Sequence, residues 1–290
     1  MSNLHVDGHG ASSDVKKQSE IEPFNATITQ WTDLHEELAV FRVEPDGGSI
    51  PDFVPGQFAT LGLPRQAQPI HPEDNYPEGD IRWSKLWRRA YSIASSPLEK
   101  RFLEFYVVLV KEGKLTPKLW HSKVGTRLWL DPHIKGEFTL HDIPTGRDLL
   151  MISTGTGLAP YLSMLKTYRN TGRWNRYIIM HGVRVAKDLG YRDELMQIAA
   201  QDPSVVYVPS CTREPDGSDW AGQRGRVTTV LSDPAAYQKC TGTALDPATT
   251  SVFLCGNPDM LNQCEAILHD RGFVTATKKS PGNIHVERYW

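Results

Sequence analysis

With 290 residues, a formal net charge of −2 and a pI near 6.6, the chain has room for two domains and a cleft and lacks the basic field of a nucleic-acid binder. Its four cysteines, Cys211, Cys240, Cys255 and Cys264, nowhere stand two to four residues apart, which excludes the ligand spacing of a zinc site or an iron–sulfur cluster. No apolar run approaches the ~20 residues of a membrane span, and "MSNLHVDGHG" has neither the charged start nor the apolar stretch of a secretory signal, so a cytoplasmic protein with no metal is expected.

Residues 1–22 are polar and without apolar periodicity, the composition of a disordered tail. From 23 to 147 come short stretches rich in β-branched and aromatic residues, among them "ATITQW", "LAVFRVE", "GQFATLGL", "RAYSIAS" and "FLEFYVVLV". Pro/Gly punctuation separates them, which reads as an antiparallel β-barrel or sandwich. A segment from Pro64 to Arg88, proline-rich and then rich in tryptophan and bases, reads as a long insertion rather than a strand. Within "RAYSIASSP", alternation puts Arg89, Tyr91 and Ile93 on one face and Ala90, Ser92 and Ala94 on the other. An arginine and an aromatic on one face can clamp a phosphate and stack a ring, and Ser92 can offer its hydroxyl. The same stretch also reads as an ordinary barrel strand.

Near Asp148 the pattern changes. "DLLMIST", "RYIIMHGV", "SVVYVPS" and "SVFLCG" read as buried strands, with helices expected at "GLAPYLSMLKTYRN", "RDELMQIAAQ" and "NPDMLNQCEAILHDRG". Alternating strands and helices imply an α/β parallel sheet over 148–290, of nucleotide-binding type, with its ligand beyond the carboxyl ends of the strands. At one such end, "MISTGTGLAP" turns into a helix, so that amides around Thr156 and Gly157 face any anion there. The turn lacks the full G-x-G-x-x-G fingerprint. "HGVR" leaves Val183 and Arg184 at the next strand end, and "SCTREPDGSDWAGQRGRV" leaves Thr212, Arg213, Arg224 and Arg226 past the one after. Guanidinium groups there suit a phosphomonoester, which would decide NADP over NAD, although each arginine taken singly reads equally as a solvated surface residue. In "FLCGNPDM", Cys255 ends a strand and Asn257-Pro258 starts a helix. Cys264 reads as core, and no base adjoins Cys255 to make it a nucleophile.

Taken together and in order, "RAYS", "GKLTP", "TGTGLAPYLS", "CTRE…GR", "CGNPDM" and the terminal "ERYW" resemble the ferredoxin/flavodoxin–NADP reductase family in its bacterial form, over residues 23–290. The resemblance implies an N-terminal FAD-binding barrel, a C-terminal NADP-binding domain, and ferredoxin or flavodoxin as partner to a monomer. It makes Arg89 the ligand of the FAD pyrophosphate, Tyr91 the ring packed on the flavin, and Ser92 the hydroxyl beside flavin N5, with Ala90 between them. Tyr106, Val107, Val108, Lys114, Leu115 and Thr116 match the second FAD contact, where backbone amides near a helix start hold the pyrophosphate. Thr156 belongs to the turn that meets both cofactors. Arg184, Arg213 and Arg226 match the 2′-phosphate and ribose contacts, with Arg224 as an alternative. Gly157, Val183, Thr212, Gly256, Asn257, Pro258 and Met260 fall on the same NADP side.

The implied catalytic group is Ser92, Cys255 and Glu287, which would align nicotinamide C4 within about 3–3.5 Å of flavin N5, with Ser92 and Glu287 managing the proton. Tyr289 is expected to cover the isoalloxazine and Trp290 to reach toward the adenine, or the reverse, as a movable lid. The rival readings are a related flavin or cytochrome reductase and a non-catalytic flavin-binding module.

Overall fold

The computed structural model describes residues 24–65 and 86–288. The first sheet is antiparallel and contains β1 (Ala26–His35), β2 (Leu38–Pro45), β3 (Phe58–Pro64), β4 (Leu86–Ser92), β5 (Leu103–Val108) and, after the short helix α1 (Thr116–Trp120), β6 (Arg127–Leu130). Their spatial order is β4-β3-β6-β1-β2-β5. The two edges meet where Ile93, just past β4, bridges Phe105 of β5 and the Ala94 amide donates to the Glu104 carbonyl at 2.8 Å. That junction closes the sheet into a barrel and removes its open edges. Inside lie Ile28, Phe41, Leu61, Ile93, Phe105 and Leu128, supplied by alternate positions of each strand.

The stretch expected to be a loop from Pro64 to Arg88 is strand at both ends. Pro64 closes β3, and Leu86, Trp87 and Arg88 open β4 opposite Pro64, Leu63 and Gly62. The reason is the way its bases pack. Arg65 stacks on the Trp87 ring at 4.2 Å and Arg88 on the Trp129 ring at 4.1 Å, so charged residues cover aromatic ones without giving up extended backbone. Residues 66–85 of that segment, like the tail assigned to 1–22, lie outside the described residues.

The second sheet is parallel. It contains β7 (Asp148–Thr154), β8 (Arg176–Val183), β9 (Val205–Cys211), β10 (Gln223–Arg224), β11 (Thr250–Cys255) and β12 (Ile284–Glu287) in the order β10-β9-β8-β7-β11-β12. Helices α2 (Ala159–Tyr168) and α3 (Arg192–Gln201) cover one face; α4 (Val227–Ser232), α5 (Pro234–Thr241) and α6 (Pro258–His269) cover the other. The α2/α3 face also packs against Leu38, Ala94 and Tyr106 of the barrel side, so one apolar core spans both sheets. The sequence pattern does not announce β12: four residues that alternate Ile, His, Val and Glu become a strand because β11 offers them a free edge.

Candidate functional site

A cleft of about 1000 Å³ opens where the carboxyl ends of β7, β8, β9 and β11 face the β1–β2 turn and the loop after β5. Its walls bring together Val108, Thr156, Gly157, Val183, Arg184, Thr212, Arg213, Arg226, Gly256, Asn257 and Met260 of the predicted set. Two chain turns interlock at its centre. A Cβ on Gly157 would stand 2.4 Å from the Cys255 carbonyl oxygen, and one on Gly256 (φ +141°) would stand 2.2 Å from Thr154 Oγ1. Only glycine permits such approach. The Asn257 amide then donates to Thr154 Oγ1 at 2.8 Å, and the Asn257 side chain caps α6 by accepting from the Asp259 and Met260 amides. Beneath the first turn is a residue that sequence reasoning missed. Fully buried His181 sits 3.0 Å from the Gly155 carbonyl through Nε2 and 3.2 Å from the Tyr207 hydroxyl through Nδ1. Burial pushes its pKa down to about 4, so the ring is neutral. The carbonyl partner assigns the proton to Nε2, and Nδ1 accepts from Tyr207.

The arginines separate into two kinds. Arg184, Arg213 and Arg226 are exposed on the cleft, and the Arg213 amide donates to the Arg184 carbonyl at 2.7 Å, which holds the first two side by side. Arg224 turns away: its guanidinium donates to the Glu214 and Pro215 carbonyls at 2.9 and 3.3 Å and to Ser218 Oγ at 3.1 Å. Pro258 opens α6 as the residue after its cap.

Of the predicted catalytic residues, Cys255 and Glu287 are neighbours across the sheet. Cys255, fully buried, pairs in register with Ser153 on one side and Glu287 on the other. Burial, and then the charge of Glu137, pushes the Glu287 carboxyl up to about 7. Glu137 is itself paired with Lys278 at 2.9 Å. Ser92 lies on the barrel, at the end of β4 opposite Phe58, which in turn bridges Lys135.

On the barrel side, Arg89 and Ala90 are exposed and Tyr91 and Ser92 half-buried. Tyr91 meets Phe105 edge-on at 6.4 Å, and burial pushes its hydroxyl pKa upward. Arg89 Nη1 donates to the Arg88 carbonyl at 2.8 Å. Lys114 Nζ stands 5.6 Å from the centre of the Trp87 ring, which brings the loop after β5 beside the β4 face that carries Arg89. Leu115 is buried, and the Thr116 hydroxyl ties the loop by bonding both the amide and the carbonyl of Val110. Val108 faces the cleft, whereas the Val107 side chain belongs to the barrel core and the Tyr106 ring to the core between the sheets. Any ligand contact from Tyr106 and Val107 is therefore by backbone. The cleft also contains polar groups that the motifs did not single out: His35 Nε2 lies 3.1 Å from Asp188, and Lys111 pairs with Glu37 at 2.5 Å. Tyr289 and Trp290 lie outside the described residues. Among the described residues no helix is long and apolar enough to cross a membrane, and no group of three His, Cys, Asp or Glu could hold a metal ion.

Residues 151–266 match the family model described as "Oxidoreductase NAD-binding domain". A flavodoxin/ferredoxin–NADP reductase of Buchnera aphidicola subsp. Baizongia pistaciae is 33% identical over 83% of this chain and 89% of its own. Ferredoxin–NADP reductase A of Sorangium cellulosum is 32% identical over 90% of this chain and 87% of its own. In structure, a ferredoxin NADP+ reductase from Neisseria gonorrhoeae, described with bound FAD and NADP, superposes with a TM-score of 0.77 at 26% identity, over 92% of this chain and 98% of that one. With this extent of likeness at both levels, the chain belongs to the ferredoxin/flavodoxin–NADP reductase family of oxidoreductases.

Proposed function

We propose that the protein exchanges electrons between NADPH and a small one-electron carrier, ferredoxin or flavodoxin, through FAD. The observation that carries this reading is the convergence of two glycine turns and three exposed arginines on one cleft at adjacent strand ends. Arg213 and Arg226, with Arg184, would hold the 2′-phosphate of NADPH, and the amides of the 154–157 turn would face its pyrophosphate. The barrel fits FAD in turn: exposed Arg89 stands between half-buried Trp87 and Tyr91 on one strand face, with Lys114 alongside. Arg89 and Lys114 would bind the anionic part and Tyr91 would pack against the ring.

FAD supplies the exchange of two electrons for single ones; the chain's task is alignment and the handling of a proton. Ser92 would donate a hydrogen bond toward the ring edge. Glu287, with its pKa near neutrality, can hold or release a proton at its carboxyl oxygen during turnover. Cys255, buried beside Glu287 in the sheet, would shape the floor of the site there. The lid role of Tyr289 and Trp290, a monomeric state and a cytoplasmic setting are parts of the same proposal. Stopped-flow reduction by NADPH and by NADH, followed by reoxidation with ferredoxin or flavodoxin, tests it. A yellow protein bleached faster by NADPH and recoloured by a carrier is expected. A colourless protein that takes up no FAD overturns the reading.

A further inference from the structure

Glu104 of β5 lies between the two sheets with 8% of its side chain exposed. A carboxylate so placed is costly unless it is fully paired, and here its partners come from both sides. Arg42 Nε of β2 donates to Oε2 at 2.9 Å. From the nucleotide side, the Tyr191 hydroxyl donates to Oε1 at 3.0 Å and Lys166 Nζ of α2 lies 3.4 Å from the same oxygen. Lys166 also lies 3.4 Å from Glu194 and 4.9 Å above the Tyr191 ring. Burial pushes the Glu104 carboxyl up, yet Lys166, Arg42 and Tyr191 together bring it below its usual value.

Tyr191 is the one non-glycine residue with positive φ (61°) among the described residues. A bulky side chain persists there only when its surroundings over-determine it. The hydroxyl is fixed by Glu104, and the ring stands at 83° to that of Tyr106, 5.4 Å away. The Tyr106 hydroxyl accepts from the Gly190 amide at 3.1 Å and donates to the Asp188 carbonyl at 3.2 Å. A Cβ on Gly190 would come within 2.5 Å of that oxygen. Residues 188–191 are thus fastened to β5 through both backbone and side chains.

Each gripped segment leads to the cofactor cleft. Helix α2 starts directly after the 154–158 turn, and its Ser163 hydroxyl donates to the Ser95 carbonyl at 2.7 Å. Ser95 lies three residues past Ser92, and its own hydroxyl accepts from the Glu104 amide at 3.0 Å. Asp188 lines the cleft four residues after Arg184. The strand with Ser92, the helix behind the glycine turn and the segment with Arg184 all meet at Glu104.

We propose that Glu104, acting through Tyr191 and Lys166, is a positioning group that fixes the separation between the flavin-facing strand and the nicotinamide-facing turn. The proposal rests on reading the cleft as the FAD–NADP site. It is tested in the FAD-loaded full chain with Glu104→Gln and Tyr191→Phe. Flavin reduction at saturating NADPH should slow about ten- to a hundredfold in Glu104→Gln, the cost of a misplacement near 1 Å, and the long-wavelength flavin–nicotinamide absorbance should weaken. KM for NADPH should stay near that of the parent. Tyr191→Phe should shift each readout in the same direction by less, and it decides alone if Glu104→Gln does not fold. Hydrogen exchange at the Gly190 amide, in protein with and without FAD, should quicken in both variants. Lower thermal stability with an unchanged reduction rate, or a raised KM with unchanged kcat, overturns the proposal. Failure of the parent protein to take up FAD or to be reduced by NADPH overturns the cofactor reading instead. Gly190 exchange still reads the latch in that case, and exchange unmoved by either variant overturns the positioning role.

Discussion

The two sides of the proposed cofactor site are made differently. On the nucleotide wall, main-chain turns interlock at Gly157 and Gly256 with no space for a side chain; on the barrel side, Arg89 and Tyr91 project from one face and Ser92 from the other of a strand whose backbone is committed to the ladder with β3. A wall of backbone is specified by fold and fails as structure. A wall of side chains is specified residue by residue and fails as affinity. Gly256→Ala tests this contrast most severely. Its Cβ would meet Thr154 Oγ1 at 2.2 Å and the Thr154 amide at 2.8 Å, so a loss of about 2–4 kcal/mol in denaturant unfolding is expected. Arg89→Ala, measured without FAD, should leave that unfolding curve in place. If both variants lose stability equally, the two walls do not differ in this way.

The next largest effect separates the arginines within the nucleotide wall. Each charge-assisted bond to a phosphate contributes about 1.5–3 kcal/mol, so Arg213→Ala should raise KM for NADPH about ten- to a hundredfold and leave KM for NADH near its original value. Arg224→Ala should change neither, because that guanidinium is held by the Glu214 and Pro215 carbonyls. Equal losses with both nucleotides in Arg213→Ala would remove the phosphate from this corner.

The same contrast explains what was legible in the sequence. Buried parallel strands read as apolar runs, and a parallel sheet brings all their carboxyl ends to one edge, so Thr156, Arg184, Arg213 and Asn257 could be grouped from order alone. The barrel wall was less legible. Leu86–Arg88 look like loop because strand bases there stack on tryptophan rings. Which way Arg224 turns depends on the Glu214 and Pro215 carbonyls, main-chain groups that no motif singles out. His181 sits in an apolar strand, and nothing in "YIIMHGV" distinguishes a core histidine from one that holds a turn. Glu104 lies one residue from the aromatic pair of "FLEFY", where alternation alone cannot reveal a buried ionic partner on a helix that packs across from the barrel.

Beside Cys255 at the sheet edge, Glu287 gives a pH signature. Its carboxyl is pushed up to about 7 by burial and by Glu137, so it is protonated below that pH and charged above it. Flavin reduction by NADPH should therefore inflect near pH 7, changing up to about tenfold per unit beyond it, and Glu287→Gln should lack the inflection. Between the ordinary 4.5 and about 7 the folded chain keeps a proton that the unfolded chain has released, so this group's contribution falls as pH rises through that window. An inflection that survives in Glu287→Gln assigns it to another group.

The smallest effect lies under the nucleotide wall and has the opposite sign. His181 titrates at about 4 when folded against an ordinary 6.5, so below pH 6.5 the unfolded chain takes up a proton that the folded chain refuses. Stability from this group is whole above 6.5 and is lost as pH falls toward 4; between pH 7 and pH 6 the loss is about 0.7 kcal/mol. His181→Gln keeps a donor for the Gly155 carbonyl and an acceptor for Tyr207 but cannot titrate, so denaturant unfolding at the two pH values should differ less in the variant by that amount. Burial also lowers the pKa of His285, which stacks on Phe253 at 4.8 Å, and His285→Gln is the matching control. If the acid loss disappears in that variant and persists in His181→Gln, the neutral imidazole that titrates belongs to the sheet edge beside Glu287 and not to the glycine turn.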